Sequence, residues 1–413
     1  MNRYAFGEPF QRRLGGSMMV AGTAIGAGML GLPMISAGMW YGWSAVLLFV
    51  SWFCMLRASQ ALLEVNLRFE RGHTMHTMVR ETLGPRWSAF NGFSLAFVLY
   101  TLVYAYVSGG GSVVARALAS ASGMEPPRAL ASLLFSLLLA GCVWWSSKAV
   151  DRFSVVMMGG MIVTFLLSVG GMIDRAQWGN LFGGGNGGEA IFLFGAASTY
   201  LTSFCFHASV PSLIKYLGKD GHTINTCLRN GTLMALACYL VWITAADGII
   251  PRAAFRDIIA AGGNVGDLVA ASGSALSGLI LKMLETFSLL AVATSFLGAG
   301  LGLFDYMADL CGFDDSRQGR TKTMLITFVP PMLCGIIWPD GFLPAIGWAG
   351  LAASVWSVIV PALLLRACRR DRAPQGAYRA PGGAATVPLL LVYGIAVAVF
   401  HTHFVFDLLP MYR

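Results

Sequence analysis

The chain has 413 residues, 56% of them hydrophobic and 12% charged, whereas a soluble globular chain carries roughly a quarter charged residues. That excludes a water-solvated fold for most of its length and makes lipid the solvent. The net charge of +8 lies in short basic clusters between apolar spans, which excludes a nucleic-acid binder and reports orientation instead.

Apolar stretches of about 20 residues, the length an α-helix needs to cross a hydrocarbon core about 30 Å thick, recur from end to end. Eleven helices are predicted, over approximately 15–38, 42–67, 87–115, 128–147, 153–173, 190–216, 225–249, 278–306, 322–338, 342–365 and 386–409. The reading is an all-α polytopic membrane protein forming one domain over 1–413. The start, MNRYAFGEPFQRRLGG, has the basic flank of a signal peptide. The apolar run after it is interrupted by Gly26, Gly28, Gly31 and Pro33 without a convincing small-residue cleavage site, so it reads as a retained first helix. The cysteines, Cys54, Cys142, Cys205, Cys227, Cys238, Cys311, Cys334 and Cys368, form no CxxC pair and fall in spans or on the inner side. No disulfide framework is implied there.

The first helix runs Gly22-Thr23-Ala24-Ile25-Gly26-Ala27-Gly28-Met29-Leu30-Gly31-Leu32-Pro33, interrupted where a membrane helix is ordinarily continuous. The sixth does the same at Thr202-Ser203-Phe204-Cys205-Phe206-His207-Ala208-Ser209-Val210-Pro211-Ser212. The two stand five helices apart. An odd-numbered repeat unit enters the membrane from opposite sides in its two copies, so 15–173 and 190–365 read as inverted repeats, with 386–409 as an extra helix. Each repeat then opens on a broken helix, a pointer to a midplane binding site in secondary transporters. The same glycines and prolines also serve close packing and kinks in many membrane helices.

An unwound helix exposes N–H groups on one half and carbonyls on the other, which suit the carboxylate and ammonium of an amino acid. That places Thr23, Ala24, Gly26, Ala27 and Gly28 of the first break, and Phe204, Phe206, His207 and Ser209 of the second, in a substrate site. The third helix adds Tyr100, Tyr104 and Tyr106, of which Tyr100 and Tyr104 share a face at i, i+4. Between the seventh and eighth helices lies the one long external loop, Pro251 to Ser277, with a Gly262-Gly263-Asn264 turn between two short stretches of surface-helix character.

Ionisable groups within spans are few: Glu64, His207, Asp247, Glu285 and Asp305. Glu64, Asp247 and Asp305 sit near span ends and read as solvated at the interface. His207 sits in the second break, where a neutral imidazole bonds substrate or backbone, or takes up a proton; a structural histidine fits the position as well. Counting Lys and Arg with the N-terminus inside puts 20 on or beside the inner segments and 7 outside, with Arg57 inside a span. Inner loops carry the excess, so the N-terminus is predicted cytoplasmic and the C-terminus periplasmic.

Three runs carry a resemblance: Val20 to Met29, Phe206 to Ser212, and Ala293-Thr294-Ser295-Phe296-Leu297-Gly298 through Gly302-Leu303-Phe304-Asp305-Tyr306. Over nearly the whole chain they resemble the bacterial hydroxy and aromatic amino acid permeases. Trp52 to Leu56, Ala96 to Tyr100, Tyr216 to Asp220 and Gly312 to Ser316 are most similar to the tryptophan-transporting members. The resemblance implies the amino acid-polyamine-organocation superfamily fold, LeuT-like with a five-plus-five inverted repeat, and proton-driven import of aromatic amino acids, L-tryptophan foremost, with tyrosine, phenylalanine or a broader neutral range as alternatives. It implies a bacterial inner membrane, no cofactor, no enzyme activity and no obligate protein partner.

One departure bears on the coupling ion. The family pattern implies a lysine in the fifth helix, where this chain reads Met157-Met158-Gly159-Gly160-Met161, with Met161 at the matching place. Sodium-coupled relatives build an ion site there from first-helix carbonyls and an Ala-x-x-Thr-Ser segment. The matching residues here are Gly22, Ile25, Ala291, Thr294 and Ser295, a hard-oxygen set suited to an alkali cation. The alternative is that the two hydroxyls bond within their helix while a proton moves through His207 or Glu64. No buried His, Asp or Glu cluster points to an enzyme, no charge ring to a channel, and no GxxxxGK[ST] to ATP hydrolysis.

Overall fold

The structure is a computed structural model that describes residues 8–70, 73–123, 126–182, 188–273, 275–370 and 378–412. The first seven residues, and the basic positions at 71, 372 and 413 used in the orientation count, lie outside them. Among the described residues every element is helical. They are α1 (Glu8–Ala24), α2 (Leu32–Ser36), α3 (Trp40–Asn66), α4 (Met75–Leu83), α5 (Pro85–Ser122), α6 (Arg128–Trp145), α7 (Ser147–Asp174), α8 (Trp178–Phe182), α9 (Phe192–Ser203) and α10 (Ser209–Leu217). Then follow α11 (Gly221–Ile249), α12 (Ala254–Ala260), α13 (Val265–Ser272), α14 (Gly278–Cys311), α15 (Arg317–Ile337), α16 (Phe342–Ala353), α17 (Val360–Arg370) and α18 (Thr386–Val405).

Helix occupies all eleven predicted stretches. Among the described residues eight helices qualify as membrane spans by length and apolarity alone, and nine when α1 and the segment Ala27–Ser36, bent by 46°, count as one. The two other stretches fall short for visible reasons. The sixth is cut into α9 and α10, of 12 and 9 residues, and α15 opens on Arg317, Arg320 and Lys322 and carries Pro330 and Pro331 inside. A π-helical segment, Ser354–Ile359, joins α16 to α17 in one continuous rod.

The helix ends follow local chemistry. Asp220 caps α11 by accepting from the Thr223 N–H at 3.1 Å, as N-cap carboxylates do. Gly123, at φ 74°, closes α5 in the left-handed conformation that glycine adopts without strain. The external loop folds as read, into α12 and α13 around Gly262 (φ 116°) and Gly263 (φ 61°). Asn264 there accepts from Ser108 of α5 at 3.0 Å and donates to Asp340 at 2.8 Å. Arg128 of α6 bridges Asp267 and Asp340, both at 2.6 Å, so one polar knot ties α5, α6, α13 and the turn before α16.

Candidate functional site

In the first break the last α-helical bond runs from the Ile25 N–H to the Ala21 carbonyl at 2.7 Å. Gly26 is then fully extended, at φ −145° and ψ −166°, before a 3-10 turn, Ala27–Gly31, leads into α2. A Cβ on Gly26 would lie 2.8 Å from Ser295 Oγ, so a side chain does not fit there. The Ala27 N–H, an orphan donor at the start of the second half-helix, gives its hydrogen to Ser295 Oγ at 2.9 Å. Ser295 of α14 therefore pins the break open. Thr23 is exposed and bonds back to the Met19 carbonyl at 2.8 Å.

The second break spans Phe204 to Ala208, with buried Phe204, Phe206 and His207. Ser209 Oγ donates to the Phe206 carbonyl at 2.7 Å. His207 is 0% exposed, stacks on Phe206 at 5.0 Å, and meets the edge of Trp356 at 6.2 Å. Neither of its ring nitrogens has a hydrogen-bond partner among the described residues. The two breaks face each other: a Cβ on Gly28 would lie 3.7 Å from Ser203 Oγ.

Sequence reasoning missed the residue that joins them. The hydroxyl of Tyr239, on α11 and fully buried, lies 2.6 Å from the Ala24 carbonyl and 2.6 Å from the Ser203 carbonyl. These residues end α1 and α9, so one phenol donates its single hydrogen between two negative helix termini. Its ring packs edge-on to Phe204 at 5.0 Å. A tyrosine inside an apolar helix carries no sequence mark of such a role.

The third-helix tyrosines divide differently from the expectation. Tyr100 donates to the Ile326 carbonyl at 2.7 Å and Tyr104 to the Trp338 carbonyl at 2.8 Å, so both hydroxyls tie α5 to α15 and its end. Tyr106 is the one that faces the breaks, with its hydroxyl beside Ser295 and near the Cys205 thiol. Residue 106 lies about 200° around the helix from residue 104, which explains why the i, i+4 pair misses it.

Of the ion-site residues, Ser295 reaches the first break, but Thr294 turns into its own helix, donating to the Leu290 carbonyl at 2.8 Å and lying 3.2 Å from that of Ala291. Gly22 faces Met158, whose Sδ is 3.6 Å from the place of a Cβ on Gly22; Met161 is buried elsewhere in the core. The residue against Gly22 is still a thioether, without an ammonium.

Two expectations about carboxylates are corrected. Glu64 is 4% exposed and not interfacially solvated. Arg369 grips it through two bonds, at 2.7 and 3.0 Å, and the Ala380 N–H adds a third at 2.6 Å, so its oxygens are occupied and it is no free proton carrier in this conformation. Asp247 is also fully buried rather than solvated, because the α7–α8 turn and α8 cover the end of α11. The Gly248 carbonyl there accepts from the Gln177 N–H at 2.8 Å and from Asn180 Nδ2 at 3.2 Å. Asp305 is exposed, as expected, and Glu285 faces Arg116 at 3.5 Å.

A cavity of about 520 Å³ lies apart from the breaks, among Met34, Phe192, Ser198, Leu343 and Phe404. Its lining includes neither the broken ends at Ala24 and Ala27 nor those at Ser203 and Ser209, so the breaks are the stronger candidate.

The family model for the tryptophan/tyrosine permease family matches residues 11–401. The chain is 50% identical to the tryptophan-specific transport protein of Pseudomonas aeruginosa, over 97% of this chain and 96% of that one. It is 46% identical to the tryptophan-specific transport protein of Shigella flexneri, covering 97% of both. It is 36% identical to the tyrosine permease of Enterobacter agglomerans, again over 97% of each.

Proposed function

The chain belongs to the tryptophan/tyrosine permease family, an integral membrane transporter and not an enzyme, and from that premise we propose that it is a symporter importing aromatic amino acids, L-tryptophan foremost, on a proton gradient. The observation that carries this reading is the meeting of two helix breaks at Tyr239. The site resides in the bacterial inner membrane, with the N-terminus cytoplasmic and the C-terminus periplasmic, inside a five-plus-five inverted repeat whose two copies each open on a broken helix.

In this mechanism the substrate carboxylate binds the N–H groups at the start of Ala27–Ser36, and its ammonium approaches the carbonyl ends at Ala24 and Ser203, sharing them with the Tyr239 hydroxyl. The aromatic side chain lies along the wall that includes Tyr106, Phe204 and Phe206. Backbone dipoles do the recognising, so no charged side chain has to be buried. Apolar walls accept tryptophan, tyrosine and phenylalanine with differences of only about 1–3 kcal/mol. The bundle rocks about the two breaks to expose the site to each side in turn.

Proton coupling is favoured over sodium by the hydroxyls of α14. Thr294 bonds within its helix and Ser295 holds the Ala27 N–H, so they do not converge on one cation. His207, buried beside the second break near the Met55 backbone and without a hydrogen-bond partner of good geometry among the described residues, is the coupling group this reading assigns in place of Glu64.

The test is uptake of labelled tryptophan into proteoliposomes under an inward proton gradient and, separately, an inward sodium gradient. Accumulation on the proton gradient alone is expected, with unlabelled tyrosine and phenylalanine competing more weakly than tryptophan. Accumulation on sodium alone, abolished by Thr294→Ala, would replace the proton reading with the ion site at Gly22, Ile25, Ala291, Thr294 and Ser295. Accumulation on neither would overturn the substrate.

A further inference from the structure

We propose that Asp247 is a proton-binding site whose occupancy permits closure of the outer end of the helix bundle. This rests on the transport reading and orientation above, which place the C-terminal end of α11 outside. Asp247 stands two residues before that end. It is 0% exposed, and neither carboxylate oxygen has a hydrogen-bond partner among the described residues. Above it the chain forms a roof: Gln177 and Asn180 bond the Gly248 carbonyl, and the Asn180 carbonyl accepts from the Trp40 indole at 2.8 Å.

Among the described residues no ion pair joins it to a countercharge. On α3 the near group is Tyr41, bonded to Thr244 at 3.0 Å, while Arg57 and Glu64 sit toward the opposite end, where Gln60 meets Asn225 at 2.8 Å. On α9 the near group is Tyr200, within electrostatic reach of Asp247, with its hydroxyl beside Ser36 and Ser44. α7 ends in Asp174, and Arg175 after it reaches the Ala275 carbonyl at 3.5 Å; Lys148 and Arg152 begin that helix at the far end. α2 and α8 carry no titratable side chain. The charged residues of α1 and α10 lie at the start of α11, where Arg12 donates to the Tyr216 carbonyl at 3.0 Å. Arg252, just beyond α11, is held by Glu189 at 3.2 Å and by the Ala37 and Gly38 carbonyls at 3.0 and 2.5 Å.

A bare carboxylate in such a place is far less favourable than the neutral acid, which has only one hydrogen to satisfy. Closing this roof over an ionised Asp247 is therefore strongly opposed, and closing it over the protonated form is not. The consequence reaches the substrate site through α9. Tyr200, beside Asp247, stands less than one turn before Ser203, whose carbonyl the Tyr239 hydroxyl holds. An external proton on Asp247 thus becomes a condition for sealing the outer side over a loaded site.

The test uses the full-length protein in two measurements. In proteoliposomes at equal pH inside and out, tryptophan exchange by the wild type is expected to fall as pH rises, with Asp247 contributing up to about tenfold per pH unit, the limit for one proton. Asp247→Asn should keep the low-pH rate and lose that part of the slope, leaving only the part set by the His207 coupling proton, and Asp247→Glu should restore the wild-type slope. An Asp247→Asn protein that exchanges with the wild-type slope overturns the proposal. Infrared difference spectra of the purified protein supply the second arm, because they read the carbonyl stretch of a protonated acid without any transport. A protonated-acid band present in the wild type and missing in Asp247→Asn supports the site even for a different substrate, and identical spectra overturn it.

Discussion

Two carboxylates lie buried at opposite ends of this helix bundle, and their surroundings could hardly differ more. Glu64 receives three hydrogen bonds, two from Arg369 and one from the Ala380 N–H. Asp247 receives none from the described residues. Burial is nearly equal, 4% and 0% exposure, so burial does not tell the roles apart. The donor count does. A carboxylate whose lone pairs are filled by a guanidinium fork is a fixed anion and a fastener. One with no donors is stable only while it holds a proton, and so responds to the water around it.

Breaking the fastener should have the largest effect. Glu64→Gln leaves the Arg369 charge buried without its partner, and loss of one member of a buried pair costs about 3–5 kcal/mol. The thermal midpoint of the detergent-solubilised protein should fall accordingly, and Arg369→Met with Glu64→Met should recover much of it. Next comes Tyr239→Phe, which strips the shared donor from the Ala24 and Ser203 carbonyls. About 1–3 kcal/mol is expected for leaving such groups unsatisfied, read as weaker tryptophan binding by calorimetry more than as unfolding. Asp247→Asn should change stability by less than about 1 kcal/mol and so barely move the thermal midpoint, because one neutral polar group replaces another; a loss as large as that of Glu64→Gln would erase the contrast. The smallest effect belongs to a third carboxylate, outside the spans. Asp220 is held below the usual carboxylate range by the Thr223 side chain and N–H. Its contribution is present above the unfolded-state value and is lost as pH falls through the folded one. An Asp220→Asn variant, which keeps the cap, should differ from wild type only by a slightly shallower loss of stability in that acid range.

The fold was legible because a membrane helix announces itself by length and apolarity, and because glycine and proline mark where it stops. The runs around Gly26 and Phe206 showed both breaks. What remained hidden was phase. Helices such as α3 and α14 are apolar on nearly every side, so no polar stripe tells which residues face inward, and Tyr106, Tyr239 and Met158 could not be separated from their neighbours. Partners remote in sequence were hidden for the same reason. Nothing near Glu64 announces Arg369, 305 residues away, and nothing near Asp247 announces the roof at Gln177 and Asn180.

The π-helical turn Ser354–Ile359 bears on all of this. A wide turn of that kind holds one more residue than the α-helix it interrupts, and each residue adds about 100° of rotation and 1.5 Å of rise. Because the wide turn absorbs that surplus residue, the positions beyond it on α17, Arg369 included, keep the facing they would have in an uninterrupted helix one residue shorter. Deleting a single residue between 354 and 359 would let the rod regularise with the guanidinium still on Glu64, whereas the same deletion in the regular part of α17, with the wide turn kept, would rotate it by about 100° off its partner. The turn thus works as a slack link, letting Trp356 lie against His207 without changing which way the far end of the rod points.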